Sequence, residues 1–247
     1  MPASWSGTLS TGRSEAIHHD PRLPLPVAIR THPRARRLRL RLDEQRGLLL
    51  LTCPPRGGRK AALDWVVGQR AWVEARLAEA EPAVPLLPGT IIPLEGQDVR
   101  LEWRQGGPRL VSRGDGVLAC GGPVEAFPKR IESWLRARAR DLLSADTAEM
   151  ARKAGVTVRR VSIGDAGTRW GSCPASGSIR YNWRLVLAPP EVRRWVVAHE
   201  VAHRVHMNHG PAFKALEAEL FEGDAERARL ALRRIGPGLK RIVVRGL

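Results

Sequence analysis

Residues 189–213 read PPEVRRWVVAHEVAHRVHMNHGPAF and hold four of the chain's seven histidines. Inside them, His199-Glu200-Val201-Ala202-His203 sets two histidines four positions apart. Val192, Trp195, Val196, Val201 and Ala202 surround the motif and place it on an amphipathic helix. Positions i and i+4 of a helix share one face, about one turn apart. Both imidazoles can then reach a single ion at roughly 2.0–2.1 Å. Glu200 stands beside His199 and can face a metal-bound water without being a ligand, which suits the general base of a zinc hydrolase. The competing reading is packing, in which two histidines on such a face are simply core residues.

A catalytic zinc commonly takes three protein ligands and leaves one position for water. His206 shares the helical face, but seven residues of helix rise about 10.5 Å from His199, too far for one ion to bridge. His209 follows Met207-Asn208 and precedes Gly210-Pro211. Asn and Gly tolerate left-handed backbone at helix ends and Pro cannot continue a helix, so the chain is expected to turn back and carry His209 to the metal. The first-to-third histidine interval equals that of the metzincin pattern, yet His206 stands at the metzincin glycine, so that pattern is not met. Glu217 and Glu219, on a helix expected over 212–221, are alternative third ligands.

Upstream lie Arg169-Trp170-Gly171-Ser172-Cys173 and the run IRYNWRLVLAPPEV from Ile179 to Val192. With VVAHEVAHRVHMNHGPAF, these motifs resemble the YgjP-like metallopeptidase family, which is related to the SprT-like zinc proteases. The resemblance is closest over 160–222 and extends more loosely from about residue 27 to the C-terminus. A longer, proline-rich N-terminal segment is the departure. The resemblance implies a zincin-like catalytic domain with one Zn²⁺ per chain on His199, His203 and His209. It places the third ligand in the N-H-G-P-x-F run, ahead of Glu217 and Glu219. It also implies Glu200 as the catalytic base, acting on peptide bonds through a zinc-bound water. Arg169, Trp170, Tyr181 and Asn182 are candidate substrate-binding residues, although no spacing argument fixes their roles. Two further readings follow from the family. Some members are described as nucleoside triphosphate hydrolases, a UTP pyrophosphatase among them. SprT-like relatives act on DNA-bound proteins, which makes a nucleic-acid-associated zinc protein a second alternative.

Composition bounds these readings. The 247 residues carry 41 Lys and Arg against 25 Asp and Glu, a net charge of +16. Such charge suits an acidic partner such as nucleic acid. Six arginines fall between Arg30 and Arg41, and seven basic residues with no acid between Arg227 and Leu247. Arginines outnumber lysines 36 to 5, a skew that genomic base composition also produces. A solvated basic surface is the simpler account. Cys53, Cys120 and Cys173 form no C-x-x-C pair, which argues against a disulfide framework or a cysteine zinc site. No Walker loop or Mg²⁺-binding acidic cluster is present. No run approaches 18 apolar residues, and the first twenty residues lack an apolar signal core, so a cytoplasmic protein without membrane association is expected.

The expected fold is α+β. Residues 1–26 read as a mobile tail. Residues 27–124 read as a small antiparallel β region with one helix over 59–81, on which Trp65 and Trp72 pack against the strands. Residues 125–247 read as the catalytic domain, with a long helix after Pro128, strands near 156–163 and 179–187, the metal helix, and a last helix over 225–235 ended by Gly236-Pro237-Gly238.

Overall fold

A computed structural model describes residues 16–43, 46–56, 58–79 and 82–244. The fold is mixed α+β, and two compact units divide between Glu81 and Pro82. The change from strands to helix expected near residue 125 lies inside the second unit. Of the expected tail, residues 1–15 lie outside the described residues, while Ala16–His18 form a strand. No helix among the described residues is long and apolar enough to cross a membrane.

The first unit is a four-stranded sheet with two helices. Strands β1 (Ala16–His18), β2 (Val27–Thr31), β3 (Arg39–Asp43) and β4 (Leu48–Cys53) lie in the order β1-β2-β4-β3. The Arg-Leu alternation of β3 pairs antiparallel with β4, Asp43 opposite Leu48. Strand β2 runs parallel to β4 on its other side, so this sheet is mixed and not wholly antiparallel. The segment expected as one helix is two, α1 (Arg59–Gly68) and α2 (Arg70–Glu79). Gln69 leaves helical geometry at φ −93° and ψ 9°, just after a glycine that favours no helix. Val66 and Val73 are buried on this pair, whereas Trp65 and Trp72 are 37% and 42% exposed, outside the core expected for them.

The second unit opens with β5 (Val84–Pro85), followed by β6 (Ile91–Leu94), β7 (Gln97–Trp103), β8 (Ser112–Gly114) and β9 (Val117–Cys120). The last four form a sheet ordered β6-β7-β9-β8. Its first hairpin turns through Glu95 and Gly96, both at positive φ, the conformation of a tight two-residue turn. A Cβ on Gly96 would lie 3.0 Å from the Pro189 backbone, and the Glu95 N–H donates to the Val186 carbonyl at 2.8 Å. That glycine therefore lets the hairpin seat against the chain entering the histidine helix.

Helix α3 (Phe127–Lys153) buries Phe127, Ile131, Leu135, Leu143 and Met150 along one stripe. It is followed by β10 (Arg160–Gly164), β11 (Gly171–Ser172), β12 (Ser178–Asn182) and a 3₁₀ turn at Trp183–Val186. Strand β12 is central, parallel to β10 and antiparallel to β11. Then come α4 (Pro190–Ala202), α5 (Pro211–Phe221), α6 (Ala225–Arg241) and β13 (Ile242–Val243), which pairs with β5. Helix α6 continues through Gly236-Pro237-Gly238, where a stop was expected. Proline inside a helix costs about 3 kcal/mol. Leu232 and Leu239, both buried, lie on either side of it. At roughly 1.5–3 kcal/mol for each buried side chain, their packing offsets that cost. Gly236 is buried against the Trp170 indole, where a Cβ would approach to 3.0 Å.

Helix α4 is clamped to α3 by charge. Arg193 Nε donates to Asp146 at 2.8 Å, with both side chains buried. Arg194 donates to Glu149 through both terminal nitrogens at 2.8 Å and to Asp146 at 3.2 Å. The Arg194 guanidinium holds the Glu149 carboxyl well below the usual range, at about 2. A group lowered on folding stabilises the fold above its unfolded pKa of about 4.3 and loses that contribution as pH falls through its folded value. Glu149→Gln is therefore expected to flatten the acid limb of stability between about pH 4.5 and 2. Unfolding midpoints measured across that window check it, and the change is modest because the carboxylate is partly exposed.

Candidate functional site

The histidine cluster forms where α4 ends. Pro190 opens the helix at its first turn, where a missing N–H costs nothing. His199 is in the last turn and His203 is the first residue beyond it. The chain leaves through tight turns, with Arg204 N–H bonded to the Val201 carbonyl and Val205 N–H to that of Ala202. Pro211 starts α5. This reversal brings His209 Nε2 to 3.3 Å from His199 Nε2. The ligand atoms of His199, His203 and His209 lie within 4.8 Å of one another.

The other nitrogen of two rings is engaged. His199 Nδ1 lies 2.7 Å from a Glu217 carboxylate oxygen, and His203 Nδ1 lies 3.1 Å from the His206 carbonyl oxygen. Those partners accept hydrogen bonds, so each Nδ1 carries the proton and each Nε2 keeps its lone pair. Glu217 is thus a partner of His199 in this arrangement, while His206 contributes its backbone oxygen. Phe213, buried, forms the floor, with its ring centroid 4.7–5.1 Å from all three imidazoles. Burial, first among the causes, lowers the His203 pKa and favours the neutral ring.

Glu200 is 6% exposed, and its side chain lies against Gly171 of β11. Among the described residues it makes no hydrogen bond or ion pair. A Cβ on Gly171 would lie 2.3 Å from its Oε1 and 2.6 Å from its Cγ, so only glycine on β11 leaves room for this side chain. Burial pushes the Glu200 carboxyl up to about 7, against the pull of His199 and Arg169.

A cavity of about 300 Å³ adjoins Gly171 and includes Asp165, Arg169, Trp170, Ser172 and Arg180 in its wall. Tyr181 and Asn182 also border it. Tyr181 is 1% exposed and its hydroxyl lies 3.0 Å from Thr147 Oγ1 on α3. Asn182 accepts from the Arg184 N–H and donates to the Ala166 carbonyl, both at 3.0 Å. The side chains of both residues are thereby held by the protein itself. Trp170 is half-buried, packed on Gly236 and beneath Lys240 Nζ at 5.0 Å. Arg169 is exposed, and its charge favours the ionised form of Glu200. Gly171, Phe213 and the His206 carbonyl were missed as site components in the sequence. Gly171 and Phe213 showed there only as members of the RWGSC and NHGPAF runs, and His206 only as a side-chain ligand too far along the helix.

Comparison with known proteins gives one family. The model of the YgjP-like metallopeptidase domain matches residues 36–234. No curated protein and no solved structure gives a significant match.

Proposed function

We propose, for a chain that belongs to the YgjP-like metallopeptidase family, that it is a zinc-dependent peptidase in which His199, His203 and His209 hold one Zn²⁺ and Glu200 is the general base. The observation that carries this reading is the convergence of three imidazoles beside a buried carboxylate. The donor set fits the ion. Ligand nitrogens at 2.0–2.1 Å from a tetrahedral centre stand roughly 3.3–3.4 Å apart. The 3.3 Å between the Nε2 atoms of His199 and His209 agrees with that edge. When bound, Zn²⁺ supplies a Lewis acid that polarises a carbonyl and makes water more acidic.

The chain's own groups supply the proton transfers. Glu200 takes a proton from the attacking water and passes it to the leaving amine. Burial raises its pKa above that of a free carboxyl, which helps it hold the proton until the amine leaves. A cation on the histidines, together with Arg169, favours its charged form. Gly171 fixes where that carboxylate lies. Glu217 and the His206 carbonyl hold two imidazoles in the ligating tautomer.

A diverse peptide mixture incubated with zinc-loaded protein and read by mass spectrometry tests the reading. Cleavage products that depend on Glu200 support it, and intact peptides with zinc verified on the protein reject it. Glu217→Ala is expected to weaken zinc binding by roughly 10–100-fold, since removing such an outer partner loosens the ligand. Competition with a chelator measures that loss, and unchanged affinity would leave Glu217 with no part in holding the metal.

A further inference from the structure

The first unit concentrates positive charge on one face of its sheet, and strand register sets which face. Arg39 stands opposite Thr52, which stands opposite Arg30, and Arg41 stands opposite Leu50. Residues in register point to the same side of a sheet, and neighbours along a strand to the other. Val27, Leu40, Leu49 and Leu51, from the alternating rows, pack in the unit's core with Val66 of α1 and Val73 of α2. Arg30, Arg39 and Arg41 therefore project from the opposite side, and all three are exposed. The connection 32–38 adds Arg34, Arg36 and Arg37, exposed as well.

These cations have no carboxylate of their own. None of the six arginines forms an ion pair among the described residues, whereas Arg22, Arg70 and Arg76 pair with Asp20, Glu74 and Glu79. Asp43, at the end of β3 on the same side as Arg41, accepts the Arg46 backbone N–H at 3.1 Å. Arg39 and Arg41 are two residues apart along β3, roughly 6.8 Å, and Arg30 lies two strands from Arg39, roughly 9–10 Å. A guanidinium pairs with a phosphate through two parallel hydrogen bonds, so the triangle presents three such forks to one charged surface. Strands β1 to β4 carry no Phe, Tyr or Trp, and the exposed Trp65 and Trp72 belong to α1 and α2, which pack on the other side. Single-stranded nucleic acid is held by stacking its bases on aromatic side chains. A face of arginines without them suits the backbone of a duplex.

We propose that this sheet face binds the phosphate backbone of duplex nucleic acid without reading its sequence. The inference goes beyond the peptidase reading and is independent of it, because no residue of the histidine cluster takes part. Phosphate contacts fix where a duplex lies and carry no base information. The chain's net charge of +16 adds long-range attraction, while the arginine face supplies the contacts. Each arginine that neutralises a phosphate releases a counterion, so binding falls steeply with salt.

Fluorescence anisotropy with a labelled DNA duplex of mixed sequence, added to the zinc-loaded full chain between roughly 50 and 200 mM salt, tests it. Binding is expected, with log affinity falling against log salt by about 0.9 for each phosphate neutralised. Arg30→Gln, Arg39→Gln and Arg41→Gln combined are expected to lower that slope by about 2–3 and to weaken binding at least about tenfold at the low-salt end. Where urea unfolding shows that the triple variant has lost its fold, each single substitution takes its place, with an expected fall in slope of about 1. Arg227→Gln, Arg233→Gln and Arg234→Gln combined remove the same charge from exposed positions on α6 and are expected to leave the slope little changed. An equal loss in that variant would reduce the binding to net charge alone and overturn the proposal. Three other results also overturn it: no duplex binding at low salt, tighter binding of a single strand of the same length, or equally tight binding of polyglutamate.

Discussion

Glu200→Gln is expected to lower peptide hydrolysis by roughly 10²–10⁴-fold, the range associated with a positioned general base. The amide keeps the size of the carboxyl, so the cradle at Gly171 still accepts it. It cannot take a proton from water. The three histidines and their partners Glu217 and the His206 carbonyl do not involve the Glu200 side chain. Zinc content should therefore remain at one per chain, and the loss should appear in kcat with KM little changed. Metal analysis alongside steady-state kinetics measures both quantities. Turnover within a few-fold of the native protein would remove Glu200 from the reaction. Loss of zinc together with activity would make it a support of the metal site.

Asp146→Ala is expected to be the most damaging substitution outside the histidine cluster, at about 3–5 kcal/mol of stability. Asp146 sits on α3, 7% exposed, and receives Arg193 and Arg194 from α4. Arg193 is itself buried, so removing the carboxylate strands a charge in the interior. Replacing both members, as Asp146→Leu with Arg193→Met, should recover most of the loss, because the stranded charge is gone. Urea unfolding of both variants beside the native chain measures this. A small effect of Asp146→Ala would mean that Arg193 finds another partner or reaches water. The ion pair matters to the site because α4 carries His199 and Glu200 in its last turn.

The histidine cluster was legible because its geometry is local. Helical spacing sets His199 and His203 on one face, and the Asn-His-Gly-Pro run turns the chain back with His209. Glu217 shows where local reading ends. In sequence it looks like a spare ligand, but α5 crosses α4 so that its carboxylate meets the far nitrogen of His199. Nothing in the spacing from 199 to 217 determines that crossing. Gly171 is a similar case, since its value lies in a contact with a side chain 29 positions away. Tyr181 stood out as the lone tyrosine, yet its hydroxyl is engaged with Thr147 inside the fold. The same limit explains the helices. Gly236-Pro237-Gly238 is a stop by local propensity, and packing against Trp170, Leu232 and Leu239 overrides it. Gly68 does what propensity predicts, because no comparable burial holds α1 and α2 straight.

The three imidazoles lie within ten residues of one another along the chain, while the glycine that seats Glu200 is 29 residues upstream. Closing the short loop costs little entropy, and the longer closure must also bring a strand edge to a helix. During folding the two steps can therefore separate. For the activity proposed above, the consequence is that metal capture and cutting depend on different stages of assembly: α4 and the turn after it carry every proposed ligand, while the proposed base is seated only once β11 has joined the helix.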